Sequence, residues 1–561
     1  MLQVFPLAIH SMIFLEFMIT LALTTLLVSI RGGISYKLPS LNIRFSFIYI
    51  FSLCAFIISF FDILFLEKLF VSLIYLFFIF FISAMGKGKL LTRIMMVIAT
   101  IGSFIASFYA FYIPSFGSDT WRDATMAQQL IVYGRVSNLT VIHDAYPLPL
   151  VPFLYTSLSL VSGVDSLWAS VLVGLEYLLL LSLAVFLLSR NVVGVADLLH
   201  LSVLLLLSIP VVLTWSTGFI PQSYSLLLGV VLVLLYLKQR DFMFLPFMVI
   251  SIAVVLAHGG VATFLLFILL MLLHRRSESR NRYFLLFYST IYILYILYST
   301  VIYPLVHSSI SIIDAVKAFI TGEVITKRFV PARVENNISA LFFFVPIAVM
   351  VATSLPLLIT GGLEMRYRRA IMFTLGFLAI AFVISQSFPA FDAVRYLGYT
   401  SVVMLSIFMP VGLYMVLARN FYYGLFLLVM AFASPVVGGL LAPANPGPPF
   451  VPNYFVLSYS DAVCAGEVSD LARGRVAFDF MTGLYVLWNS AVEGRHLATP
   501  VGMYHRFSVD GVEVFRVGAY GVSLRESYAK GAVAVVRSRV VESGIAVRYD
   551  FEDKYLVRTL L

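Results

Sequence analysis

Charge is what this sequence has least of. Of its 561 residues, 12% are Asp, Glu, Lys or Arg and 61% are hydrophobic. Soluble globular chains carry about 25% charged and roughly 45–50% apolar residues. With a mean hydropathy of +1.00, the shortfall excludes an ordinary water-soluble fold for most of the chain. Cysteine is nearly absent as well, at Cys54 and Cys464 only. One falls in an apolar run and one in the tail, so both read as packing residues rather than a disulfide, and neither has metal-ligand spacing. No solenoid-length repeat and no low-complexity tract is present. Nothing basic precedes the first apolar run, so no cleavable leader is expected. The net charge of +9 is not gathered into one basic patch. It is spread in short clusters between apolar runs, which argues against a nucleic-acid partner and matches the loops that flank membrane spans.

What is present is apolar sequence in lengths of about 20 residues, the length that crosses a bilayer as a helix. Such runs recur at 7–30, 45–61, 69–85, 94–113, 166–188, 198–213, 221–237, 242–257, 260–273, 283–303, 338–359, 370–386, 398–417 and 424–441. The expected fold is therefore mainly α, a polytopic transmembrane bundle of about fourteen spans. Arg31, Lys37 and Arg44, then Lys87, Lys89 and Arg93, then Arg190, Lys238, Arg275, Arg366 and Arg419 all fall on one side of that arrangement. The positive-inside rule makes that side cytoplasmic. The outer face then carries the loop at 114–165 and the tail. Leu148–Ser162 is apolar but short, with Pro149 and Pro152 at its start, and is laid along the outer interface instead of through the membrane. Two acceptor triplets, Asn138-Leu139-Thr140 and Asn337-Ile338-Ser339, fall on the assigned outer side.

Prolines at 443, 446, 448 and 449 form a stiff linker that no helix continues through. Beyond it the composition becomes mixed. Arg475–Phe480, Val512–Val517, Ala532–Val536 and Ile545–Tyr549 read as strands, and Thr482–Val492 as a helix. The expected organisation is additional spans over 1–92, a membrane core over 93–441, a linker over 442–453 and a small extracytoplasmic α/β domain over 454–561.

The polar chemistry concentrates in the loop after the fourth run, Pro114-Ser-Phe-Gly-Ser-Asp-Thr-Trp-Arg-Asp123, which continues to Val141-Ile-His-Asp-Ala-Tyr-Pro147. Asp119 and Asp123 are four apart and share a helix face with Arg122 if Ser118 caps a helix there. Two readings stand side by side. In one, Ser118 and Asp119 only satisfy helix-start donors. In the other, a carboxylate at a membrane–water boundary is partly desolvated and made more basic. An amphipathic segment carrying Gln128, Gln129 and Tyr133 follows, then His143 and Asp144.

An early loop Asp, a following helix and the Tyr146-Pro-Leu-Pro-Leu150 segment together resemble the GT-C superfamily of membrane glycosyltransferases, which includes oligosaccharyltransferases and protein mannosyltransferases. The resemblance covers roughly 93–441 in layout. It implies that Asp119 is a catalytic base or metal ligand, with Asp123, His143 and Asp144 as catalytic companions and Arg122 and Tyr146 beside them. It implies a polyprenyl-phosphate-linked sugar donor whose phosphate meets Arg395, with Arg328, Lys327 and Arg333 as further candidates. The competing reading of those cations is a lipid-headgroup anchor. The turn Thr214–Gln222 stands where oligosaccharyltransferases carry a second acidic pair, but it has no Asp or Glu, which favours chemistry without an obligatory metal. The residues leave open a divalent metal on Asp119 with His143 or Asp144. His258 falls at a helix break, as a family histidine or as a hydrogen-bonded helix end.

The resulting expectation is a glycosyltransferase that moves a sugar, with inversion, to a hydroxyl of a protein, lipid or glycan acceptor on the outer face, among membrane lipids. The alternative is a multi-span transporter or flippase of an anionic or lipid-linked substrate, suggested by Glu16 and Glu176 inside apolar runs. A non-enzymatic scaffold that displays the tail is a third reading.

Overall fold

The computed structural model describes residues 46–66, 71–87, 90–114, 117–136, 149–193, 199–209, 218–238, 243–273, 279–298, 337–359, 363–387 and 408–441. It also describes isolated positions between these stretches and short segments between 475 and 559. The membrane part is helical. Its elements are α1 (Ser46–Leu66), α2 (Val71–Met85), α3 (Leu90–Phe108), α4 (Ser118–Tyr133), α5 (Leu150–Ser162), α6 (Ser166–Val193), α7 (Leu199–Leu207) and α8 (Pro221–Lys238). They continue as α9 (Phe244–Ala257), α10 (Gly259–Leu272), α11 (Ser279–Leu297), α12 (Asn337–Ser354), α13 (Pro356–Ile359), α14 (Met365–Ser387), α15 (Met409–Arg419) and α16 (Phe421–Leu441).

Among the described residues, five segments are long and apolar enough to cross a membrane: Ser46–Phe65, Leu91–Phe108, Ser166–Val192, Pro221–Lys238 and Phe421–Gly438. Their exposed faces are mostly apolar, as at Tyr49, Leu53, Phe61 and Phe65 of α1 and Leu172, Leu179 and Leu183 of α6, with Glu176 of α6 a charged exception. An apolar exposed face on a long helix is the signature of lipid contact, because hydrocarbon forces backbone groups into internal hydrogen bonds and leaves side chains no reason to be polar. This is a helical membrane protein. Cys54 stands on the exposed side of α1, so the expectation that it packs in the core is corrected.

Helix α5 is thirteen residues long, or about 20 Å at 1.5 Å per residue, against a hydrocarbon core of about 30 Å. It packs on α4 and α6 and ends at Gly163, whose φ of 74° is the left-handed cap glycine adopts readily. One acid inside an apolar run is structural. Asp62 near the end of α1 is buried and its Oδ2 accepts from the backbone N and Oγ of Ser72, both at 2.6 Å. That caps the first turn of α2 and closes the α1–α2 hairpin.

In the tail, β3 (Arg475–Phe478), β7 (Ala532–Arg537), β9 (Tyr555–Thr559) and β8 (Tyr549–Phe551) form one sheet in the order β3-β7-β9-β8, and β4 (Arg506–Val509), β5 (Val512–Val517) and β6 (Gly521–Leu524) form a second. The only remaining described pairing is the short one of β1 (Leu41–Asn42) with β2 (Gly86–Lys87). Of the last expected strand, Ile545–Tyr549, Tyr549 alone is described, and it opens β8. Strands β4, β6 and β9 were not expected at all.

Two glycines mark backbone-to-backbone approach. A Cβ on Gly174 of α6 would stand 1.8 Å from Ser216 O, and one on Gly412 of α15 would stand 1.8 Å from Thr353 O. Gly376 of α14 has nothing within 4 Å. Gly174→Ala and Gly412→Ala are each expected to destabilise the protein by about 1–3 kcal/mol through overpacking, read as a lowered thermal midpoint in lipid, whereas Gly376→Ala leaves the midpoint unchanged.

Candidate functional site

Helix α4 is unusual among its neighbours because its sequence, SDTWRDATMAQQLIVY, is polar while its surroundings are apolar. Trp121, Asp123, Ala124, Thr125 and Ala127 are 0–1% exposed, and Gln128 and Gln129 are 9% and 3% exposed. The glutamines are therefore buried, and the expected amphipathic segment is corrected to one enclosed nearly all round by α5, α6 and the chain near them.

The start of α4 also departs from expectation. Its cap is Gly117, with φ 87° and ψ 145° and no side-chain cap bond. Ser118 is the first helical residue and not the cap. That backbone conformation is close to one only glycine holds without strain, so the glycine sets where the helix begins and places Asp119 in its first turn, where a carboxylate complements the helix dipole.

One guanidinium organises the acids. Arg122 Nη1 donates to Asp119 Oδ1 at 3.1 Å, while Nε and Nη2 donate to Asp123 Oδ1 at 3.1 and 2.9 Å. The side chain of Arg122 is 8% exposed, that of Asp123 2% and that of Asp119 37%. The three residues form a graded set, with one acid sealed in, a buried cation, and one acid partly exposed. Both fork nitrogens meet the same Asp123 oxygen, so Oδ2 is buried with no hydrogen-bond partner. Burial pushes the Asp123 carboxyl up to about 6. Arg122 opposes that shift and the Asp119 charge adds to it.

Around this set, Tyr155 of α5 feels the charges of Asp123 and Arg122 and donates from its hydroxyl to Phe219 O at 2.6 Å. That bond ties α5 to the turn leading into α8. Gln222 lies in the first turn of α8, buried, with Oε1 unpartnered. His258 separates α9 from α10, and its Nδ1 accepts from Val261 N at 3.2 Å. That bond is the helix-end contact which one of the two readings of His258 expects.

Helix α4 is also held from outside the membrane helices. Ser166 Oγ donates to Gln128 Oε1 at 3.3 Å and accepts from Trp488 Nε1 of the tail at 3.0 Å. Tyr485 meets Trp121 edge-on, with centroids 6.2 Å apart and planes at 69°. Tyr485 and Trp488 therefore stand on the same side of the protein as α4. Sequence reading did not single out Tyr485, Trp488 or Ser166. The available signal was the three-residue spacing of the two aromatics in a stretch read as helical.

His143, Asp144, Tyr146, Arg328, Lys327, Arg333 and Arg395 lie outside the described residues, so Asp119, Arg122 and Asp123 are the expected site residues that the structure brings together. Among the described residues, no group of three His, Cys, Asp or Glu comes together as a metal site. The two nearby carboxylates have the Arg122 cation between them, and that donor set does not fit a divalent metal. Glu176, which had suggested an intramembrane pathway, is exposed on the outer face of α6 beside Leu172 and Leu179.

No family model matches the chain, and no curated protein matches it. Among solved structures, the Archaeoglobus fulgidus oligosaccharyltransferase in complex with zinc and sulfate is similar, with a TM-score of 0.39 and 16% identity over 68% of this chain and 58% of that one. The same protein tethered to an acceptor peptide containing the NVT sequon gives a TM-score of 0.41 and 14% identity over 68% and 60%. This chain thus spans less than two thirds of the length of either, and a likeness at this level carries no functional argument.

The raised Asp123 pKa sets a pH dependence. A carboxyl lifted from 3.8 to about 6 on folding contributes stability that is fully present below pH 4 and lost as pH rises through about 6. The thermal midpoint of the wild-type protein is therefore expected to fall between pH 4 and 6, and Asp123→Asn to remove that part of the slope.

Proposed function

We propose that the protein is a membrane glycosyltransferase that moves a sugar from a polyprenyl-phosphate-linked donor to an acceptor hydroxyl. The observation that carries this reading is the graded acid pair. Asp119 is partly exposed in the first turn of a buried helix while Arg122 bridges its carboxylate to the sealed Asp123. The layout resemblance to the GT-C superfamily over 93–441 supports it as well.

In this mechanism Asp119 accepts the proton of the acceptor hydroxyl as the oxygen attacks the anomeric carbon from the face opposite the phosphate. The carbon–phosphate oxygen bond breaks in the same displacement, inverting the centre and leaving polyprenyl phosphate. Arg122 holds the base in one orientation, which saves the entropy of searching for it. Arg395, with Arg328, Lys327 and Arg333, meets the leaving phosphate, where a fixed cation stabilises the charge that builds in the transition state. No step is assigned to a metal. The fuller arrangement belongs to the same proposal: about fourteen spans, the α4 loop and the 454–561 domain on the extracytoplasmic side, and an acceptor that is a protein, lipid or glycan. Donor tails would lie among membrane lipids between the spans. The transporter alternative loses its second acid, because Glu176 does not face the bundle interior.

The test is release of polyprenyl phosphate by purified protein in lipid, given a panel of polyprenyl-phosphate hexoses and hydroxyl acceptors. Asp119→Asn is expected to lower the rate by about 10²–10⁴-fold, the usual contribution of a general base, with the thermal midpoint retained. A chelator is expected to leave the wild-type rate unchanged. Full activity in Asp119→Asn rules out the mechanism.

A further inference from the structure

The least expected contact in the molecule is the one the tail makes with α4. Tyr485 and Trp488 are three residues apart, a spacing that puts two side chains on one face of a helical turn, and both positions are helical. Their rings lie 6.0 Å apart and reach two different parts of the membrane core. Tyr485 closes on the buried Trp121, the residue directly before Arg122. Trp488 donates to Ser166 in the first turn of α6, and Ser166 in turn donates to Gln128 on the third turn of α4. Ser166 is fully buried and Gln128 is 9% exposed, so this relay runs where water does not compete for its hydrogen bonds.

We infer that Tyr485 and Trp488 are positioning residues for the acid pair, latching α4 to the first turn of α6 and so fixing where Asp119 stands. The latch grips α4 at two points, Trp121 near its start and Gln128 nine residues beyond Asp119. Two separated grips resist both rotation and sliding of a helix, and either motion would swing Asp119 together with the Arg122 fork that α4 carries. The middle of α4 is also held by a hydrogen bond from Thr156 Oγ1 of α5 to Ala127 O at 3.2 Å. The tail thereby becomes part of the site without contributing a reacting group. The catalytic consequence rests on the reading of Asp119 as base, whereas the latch itself rests on the contacts.

The experiment compares hydrogen–deuterium exchange in full-length wild type, Trp488→Phe, Ser166→Ala and the double variant, all in lipid nanodiscs. Trp488→Phe removes the donor and part of the indole's volume but keeps an aromatic ring beside Tyr485, which protects folding. Amides of a packed helix exchange through local opening. Loss of one buried hydrogen bond is therefore expected to speed exchange across 118–133 by about three- to tenfold, with the other helices unchanged. The double variant is expected to match Ser166→Ala, because Ser166→Ala already removes the Trp488 hydrogen bond together with the one to Gln128. Unchanged exchange in the single variants, or an effect in the double variant equal to the product of the two, overturns the latch. With a working donor, the same variants are expected to lower kcat with KM for the donor unaltered. A uniform loss of stability without that split would mean Trp488 is packing alone. If wild type turns over no donor, the glycosyltransferase reading fails while the exchange data still decide the latch.

Discussion

The structure turns on a polar helix that has to be buried. Helix α4 carries Asp119, Thr120, Arg122, Asp123, Gln128 and Gln129 into surroundings made of Leu, Val, Phe and Trp, where an unsatisfied polar group costs several kcal/mol. Each polar residue there needs a partner or a function. Arg122 answers for two of them by bridging the acids, and Ser166 answers for Gln128. Gly117 starts the helix where a residue with a side chain would be strained. Remove Arg122 and a carboxylate is left sealed with no counter-charge, a change that typically costs 3–5 kcal/mol.

The same constraint accounts for the asymmetry of the acids. Asp123 has its charge and one oxygen held by the guanidinium, and its other oxygen is buried without a partner. Asp119 is on the open side of the same cation. A base has to reach its substrate, and the proposed function assigns that role to the exposed carboxylate.

Much of the fold was legible in the sequence, because hydrocarbon imposes a length and a composition on any helix that crosses it. The runs at 45–61, 69–85, 166–188 and 221–237 reappear as α1, α2, α6 and α8. The fork of Arg122 between Asp119 and Asp123 was legible as well, since i, i+3 and i+4 spacing is local. What was not legible depended on contacts distant in the chain. The cap passed to Gly117 because backbone conformation outweighed the Ser preference. Gln128 and Gln129 looked solvated because their neighbours on α5 and α6 are not adjacent in sequence. Trp488 meets Ser166 across 322 positions, and no periodicity within either segment points to the other. Asp62 falls just past the run at 45–61, and its donors come from Ser72, across a hairpin.

The most direct test of the account is labelling from outside the cell. In full-length protein carrying Cys54→Ser and Cys464→Ser, Asp119→Cys and Asp123→Cys are treated in turn with a membrane-impermeant maleimide, with and without a polyprenyl-phosphate sugar. The account predicts that Asp119→Cys is labelled in intact cells and protected by the donor, and that Asp123→Cys stays unlabelled. Labelling of Asp119→Cys only after permeabilisation, equal labelling of both positions, or no protection by any donor would contradict it.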